Sequence, residues 1–141
     1  MNYKLSKPSL STNEIFSDRR GSLIAFEKNF GLTFELTRAY LIFDFNNESL
    51  RGAHAHPNLS QVLTLIHGEV NVKLKTPYES IDFSLKSINQ SLHVPPGWWR
   101  EITSLSNQTM LLVLADKKYE DTVYIRNEKD YKVWFDHNVL G

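Results

Sequence analysis

The chain has 141 residues, enough to bury one sizeable core and typical of one domain spanning 1–141. Sixteen Lys and Arg balance sixteen Asp and Glu, so no net field draws the protein to nucleic acid or to an anionic membrane. The absence of cysteine excludes disulfides, thiolate metal sites and a cysteine nucleophile, and fits a reducing compartment such as the cytoplasm.

Met1-Asn2-Tyr3-Lys4 is not followed by the apolar run of a secretory leader, and no stretch approaches the roughly 18 apolar residues of a membrane helix. The first ten residues are polar, contain Pro8, and read as an arm or an edge strand. Residues 17–22 signal a turn and Leu23 to Phe26 a short strand. Phe34 to Phe45 alternates, with Phe34, Leu36, Arg38, Tyr40 and Ile42 on one face. Arg38 therefore sits in an apolar row. A buried guanidinium requires an anionic partner, which is either a group of the protein or a ligand.

Residues 46–49 are a loop leading into Arg51-Gly52-Ala53-His54-Ala55-His56. Gln61 to Ile66 reads as a strand, His67-Gly68 as a tight turn, and Val70 to Leu74 as its hairpin partner. A turn at 76–80 precedes alternating Ile81, Phe83 and Leu85. Leu92-His93-Val94 is a short strand ending at Pro95-Pro96-Gly97, and Trp98 to Thr103 is extended. Thr109 to Ala115 is a nearly continuous apolar run, the pattern of a strand buried on both faces. The charged stretch 116–121 is a loop, and Asn127 is a good N-cap for a short helix carrying Tyr131, Trp134 and Phe135. Many short strands and one late helix point to an all-β barrel or jelly roll.

His54 and His56 are spaced i and i+2, so an extended backbone aims both imidazoles at one volume of space. Alone, such a pair is more often structural than functional. The other histidines carry less signal: His67 falls in a turn, His93 precedes Pro95, and His137 lies near the end of the sequence. Trp98 and Trp99 read first as barrel packing. Tyr119 and Tyr124 flank the charged loop, where they either close over a site or anchor the helix.

Together, His54, His56, Gln61 and Gly68, then Pro95, Gly97 and Arg100, resemble the two cupin signatures. That resemblance implies a cupin-type double-stranded β-helix. It also locates two departures. Gln61 stands where a cupin has its glutamate ligand, and Arg100 where it has its third histidine. A guanidinium is always charged and does not ligate metal, so the expectation is a site with no metal and no cofactor. Neutral imidazoles instead suit proton transfer beside a carbonyl, and Arg100 suits stabilisation of the resulting negative charge.

Further stretches narrow the resemblance: Asp18-Arg19-Arg20-Gly21-Ser22-Leu23, Arg38-Ala39-Tyr40, Arg51 to His56, Trp99-Arg100-Glu101, Val113-Leu114-Ala115, Tyr119-Glu120-Asp121 and Tyr124-Ile125-Arg126. Over roughly residues 15 to 131 the chain is similar to the sugar-nucleotide 3,4-ketoisomerases. The resemblance implies a homodimeric, metal-independent isomerase. It would convert a dTDP-linked 4-keto-6-deoxy sugar to its 3-keto isomer, on the way to 3-amino-3,6-dideoxy sugars for surface polysaccharides such as O-antigen. It implies His54 as the base at C3, with His56 assisting or moving a proton towards C4. Arg38 and Arg51 would hold the nucleotide diphosphate or the sugar, and Tyr40 and Gln61 would line the pocket. Arg20 and Arg100 stand where gluco- and galacto-forming members differ, with a lean to the galacto product. A 3,5-epimerase and a non-catalytic sugar-nucleotide-binding cupin are the alternative readings.

Overall fold

Alternation of apolar and polar side chains builds two antiparallel sheets that face each other. The structure, a computed structural model, describes residues 4–141; the first three residues of the polar arm lie outside the described residues. The strands run β1 (Ser9–Thr12), β2 (Phe16–Asp18), β3 (Gly21–Leu23), β4 (Glu27–Lys28), β5 (Gly31–Leu32), β6 (Arg38–Phe45), β7 (Leu50–Ala55), β8 (Gln61–His67), β9 (Val70–Lys75), β10 (Ser80–Leu85), β11 (Gln90–Val94), β12 (Trp99–Ser104) and β13 (Thr109–Ala115). One sheet has the order β1-β11-β8-β13-β6 and the other β10-β9-β12-β7. Each order interleaves strands distant in sequence, as the expected jelly-roll barrel requires.

The core lies between the sheets. Leu63, Leu65, Leu92, Val94, Leu111 and Val113 come from the first sheet, and Val70, Val72, Leu74, Leu85 and Ile102 from the second. Each such side chain, fully buried, contributes about 1.5–3 kcal/mol of apolar transfer. Trp98 is buried among them, and its indole N–H donates to the Ser6 carbonyl at 2.8 Å. That bond ties the N-terminal arm to the barrel, and β1 extends the sheet edge by pairing with β11.

Three sequence expectations are corrected. The strand expected at Leu23 to Phe26 is instead a small hairpin of β2 and β3, with Arg19 and Arg20 at its turn. Strand β6 begins at Arg38: before it Thr37 makes one backbone bond, to the Ala115 carbonyl at 2.9 Å, and the chain from Phe34 to Leu36 is not strand. Strands β8 and β9 do not form a hairpin. Strand β8 pairs with β11 and β13, and β9 with β10 and β12, so Gly68 marks a crossing between sheets. The apolar residues Val62, Leu63 and Leu65 are buried on both faces of β8, which places that strand inside its sheet rather than at a hairpin edge.

The helix α1 (Glu128–Phe135) starts as expected at Asn127, whose side chain accepts from the N–H groups of Lys129 and Asp130. It buries Tyr131 and Phe135 against Trp99 and Ala55. The Tyr131 hydroxyl donates to the Gly97 carbonyl at 2.7 Å, fixing the helix to the turn before β12.

Gly68 has φ +93°, and a Cβ there would collide with the hydroxyls of Thr109 and Ser106. Gly68→Ala is expected to destabilise the fold by at least about 1–3 kcal/mol, read as a lower denaturant midpoint.

Candidate active site

A backbone irregularity sets the site. Strand β7 pairs with β12 so that His54 faces Arg100 while Gly52 faces Glu101, which leaves Ala53 as an extra residue. Both Gly52 (φ +87°) and Ala53 (φ +58°) take left-handed conformations. A Cβ on Gly52 would stand 3.0 Å from the Arg100 carbonyl oxygen, so the close approach of the two strands needs glycine there. In a regular strand Arg51 and His54, three apart, would point to opposite faces. The bulge turns both towards one cavity.

That cavity, about 420 Å³, opens between the two sheets. Arg38, Tyr40 and Gln61 reach it from the first sheet, and Arg51, His54 and Arg100 from the second. Tyr119, Tyr124 and Arg126 close another side from the segment after β13. Six of the eight residues singled out in the sequence thus meet at one wall, and two do not.

His56 is 1% exposed and stands behind the wall. Its ring centroid lies 4.5 Å from that of His54 and 4.4 Å from that of Tyr124. The two imidazoles are neighbours as expected, but only His54 lines the cavity. Arg20 sits at the hairpin tip, its side chain 84% exposed and paired with Asp18. It does not line this cavity, because β2 and β3 pair only with each other. Trp98 and Trp99 are packing residues, not platforms for a ligand. His67 and His137 are exposed, and His93 is half-buried 3.4 Å from the Thr33 hydroxyl.

Arg100 is 2% exposed. One terminal nitrogen donates to the Gln61 side-chain oxygen and the other to the Trp98 carbonyl at 3.3 Å. With its oxygen so used, Gln61 turns its amide nitrogen to the Tyr40 hydroxyl at 3.0 Å. Tyr40 accepts that bond and keeps its own proton to donate. Arg38 lies over the Tyr40 ring at 4.8 Å and the Tyr119 ring at 5.7 Å. Among the described residues it forms no ion pair, and its buried Nε has no hydrogen-bond partner. Of the two partners weighed for Arg38, an anionic group of the protein is not found among the described residues.

The described lining residues include four arginines and no carboxylate. This field and burial act together on the imidazoles. Burial first, then the Arg100 and Arg126 charges, hold His54 down at about 4. Burial and Arg100 depress His56 further. The His56 Nδ1 lies 2.8 Å from the Val123 carbonyl, which can only accept, so Nδ1 carries the proton in the neutral ring. The cupin pattern raises the question of a metal ion. Two imidazoles beside a buried guanidinium that already occupies the Gln61 oxygen do not suit a divalent cation, and no group of three or more His, Cys, Asp or Glu gathers for one among the described residues.

Arg126 also lines the cavity, a place that the sequence alone did not assign. Its guanidinium lies 4.1 Å from the Tyr124 ring centroid and faces the cavity. Its sequence signal was its place in the stretch Tyr124-Ile125-Arg126; what brings it to the cavity is the pairing of its neighbour Ile125 with Ala55, 70 residues upstream, through two backbone hydrogen bonds of 2.9 Å.

Comparison with known proteins adds four findings. Residues 6–135 match the family model described as FdtA: WxcM-like, C-terminal. The chain is 38% identical to the TDP-4-oxo-6-deoxy-alpha-D-glucose-3,4-oxoisomerase of Aneurinibacillus thermoaerophilus over 115 residues, 82% of this chain and 83% of that one. It superposes with a TM-score of 0.88 and 31% identity on a mutant of the 3,4-ketoisomerase QdtA from Thermoanaerobacterium thermosaccharolyticum in complex with TDP-4-keto-6-deoxyglucose, covering 97% of this chain and 99% of that one. A dTDP-4-dehydrorhamnose 3,5-epimerase from Bacillus anthracis shares the fold alone, at 17% identity and a TM-score of 0.69 over 84% of this chain and 78% of that one.

The imidazole signals test the electrostatics directly. In an NMR titration His54 is expected to stay neutral through its ordinary value of 6.5 and to take up its proton only near pH 4. A midpoint close to 6.5 would contradict the burial and arginine field described above.

Proposed function

The chain belongs to the FdtA family (WxcM-like, C-terminal), and on that premise we propose that it is a sugar-nucleotide 3,4-ketoisomerase acting on a TDP-linked 4-keto-6-deoxyglucose. One observation carries the reading. A neutral imidazole, His54, lines a cavity whose described walls hold four guanidiniums and no carboxylate. Such a cavity suits a diphosphate-bearing substrate and an oxyanion formed within it.

The reaction needs a proton removed from C3 while its electron pair moves towards the C4 carbonyl oxygen. His54 takes that proton. The enolate takes a proton on O4 to become an enediol, which then loses its O3 proton and gains a proton at C4; the protons lost at C3 and O3 are thus matched by those gained at O4 and C4, and the carbonyl is left at C3. No electrons enter or leave overall. Arg100 steadies the charge that develops at the carbonyl oxygen. Arg38 and Arg51, with Arg126, hold the diphosphate and sugar, and Tyr40 and Gln61 orient the hexose. His56 acts through His54 and Tyr124, the rings it touches, rather than on the sugar itself. Arg100 supports the galacto product. The 3-keto sugar then suits an aminotransferase that makes a 3-amino-3,6-dideoxyhexose, work for the cytoplasm.

A homodimer is part of the proposal. The β2–β3 hairpin leaves Ile15, Phe16 and Leu23 exposed, and the outer face of β6 exposes Leu41 and Phe43. Ile15, Leu23, Ile24, Ile66, Ile88 and Leu112 line an apolar groove between hairpin and sheet. A second copy covers such surfaces. Arg20, at the exposed tip of the same hairpin, joins a site if the dimer brings it to the partner's cavity.

The test is proton NMR with dTDP-4-keto-6-deoxyglucose in D2O after exhaustive chelation. Loss of the C3 proton signal with a 3-keto product is expected, and the C4 coupling reads galacto against gluco. Exchange at C3 and C5 with the carbonyl unmoved would make the protein an epimerase instead. His54→Asn is expected to lower turnover by about 10²–10⁴-fold while nucleotide binding persists. Light scattering is expected to give twice the 16.4 kDa chain mass; a monomer would remove Arg20 from the site.

A further inference from the structure

Beyond Ala55 the histidine-bearing strand lies against the segment 116–126, antiparallel to it. At one end Ala55 and Ile125 exchange two backbone bonds. At the other, the Asp116 N–H donates to the Ser60 carbonyl at 3.2 Å, and the Asp116 carboxylate accepts from the Ser60 N–H at 3.1 Å. Backbone pairing does not continue between these clamps. Pro57 has no N–H to donate, and the facing segment winds into a short 3-10 turn, Tyr119–Asp121.

One side chain spans the gap. Asn58 donates from its amide nitrogen to the Asp121 carbonyl at 2.9 Å and accepts the Val123 N–H at its amide oxygen at 3.0 Å. A carboxamide supplies both a donor and an acceptor; neither a carboxylate nor a hydrocarbon supplies both. The peptide it grips continues directly into the site. The Val123 carbonyl accepts from His56 Nδ1, and the next residues, Tyr124 and Arg126, stand in the cavity wall. The Tyr124 ring centroid lies 5.2 Å from that of His54.

We propose that Asn58 is a positioning residue for the isomerisation: its carboxamide fixes the segment whose carbonyl sets the His56 tautomer and whose side chains complete the substrate wall. Asn58 does not line the cavity, so its effect passes through Val123 to His56, and through the segment to Tyr124 and Arg126. The catalytic consequence rests on the ketoisomerase reading; the tautomer consequence does not.

The experiment uses full-length Asn58→Ala and wild-type protein, with two readouts. Long-range proton–nitrogen NMR of the imidazoles reports the tautomer. Wild type is expected to show His56 protonated at Nδ1, and Asn58→Ala to show an averaged pattern. Steady-state kinetics with dTDP-4-keto-6-deoxyglucose is expected to show kcat/KM lower by about 10- to 100-fold, with KM raised and kcat reduced together. A His56 pattern and kinetic constants both unchanged would overturn the proposal. So would activity lost only in step with a lower Tm while the tautomer stays fixed. Asn58→Asp, which keeps the acceptor for Val123 N–H and loses the donor to Asp121, is expected to fall between the two and answers the question if the alanine variant does not fold. If wild type shows no turnover, the ketoisomerase reading fails, and the tautomer comparison still decides the role of Asn58.

Discussion

The buried Arg100 governs the chemistry of this cavity. Its guanidinium is permanently charged, lies almost wholly out of solvent, and sits directly opposite His54 in the β7–β12 pairing. Its bond to Gln61 turns the amide towards Tyr40, so one charge orients two polar groups in series. Its field helps keep both imidazoles neutral. It also removes the cation-binding capacity that the cupin pattern would otherwise have. One arginine at a histidine position thus replaces a ligand set with two neutral imidazoles beside a fixed positive charge, the arrangement on which the proposed proton transfer rests.

A second constraint is backbone geometry at Gly52 and Ala53. The bulge breaks the two-residue period of β7 and aims Arg51 and His54 at the same space. Without it the Arg51 guanidinium and the His54 imidazole would face opposite sides of the sheet. The left-handed φ at Ala53 is a local cost, which the paired strands on both sides hold in place.

The barrel supplies rigidity and the segment after β13 supplies closure. Residues 119–126 bring two tyrosines and an arginine to the cavity, and backbone bonds anchor the segment to the strand that carries the histidines. The His54 imidazole and the aromatic side of the cavity therefore share one support. This arrangement suits a reaction in which an enediol must be kept from bulk water while a proton is returned to its neighbour carbon. Arg20 belongs to a different element, a hairpin that among the described residues pairs with no other strand, and it stands apart from this cavity.

Much of this protein was legible in its sequence, because local physics wrote it there. Period-two alternation marked most strands, Asn127 marked the helix start, and the cupin spacing gathered His54, Gln61 and Arg100. The replacement of two metal-ligand positions by Gln61 and Arg100 already pointed to proton transfer. Tertiary structure decided the rest, because it depends on partners far away in the chain. The His67-Gly68 step that read as a hairpin turn crosses between sheets instead, since β8 finds its neighbours in β11 and β13. His56, on the same face as His54 by spacing, is covered by Val123 and Tyr124 from 67 and 68 residues downstream, so only His54 meets the cavity. Arg126 and Asn58 gain their places from the same long-range pairing. A sequence reports each residue's period and chemistry; which side chain covers which is settled only when distant strands meet.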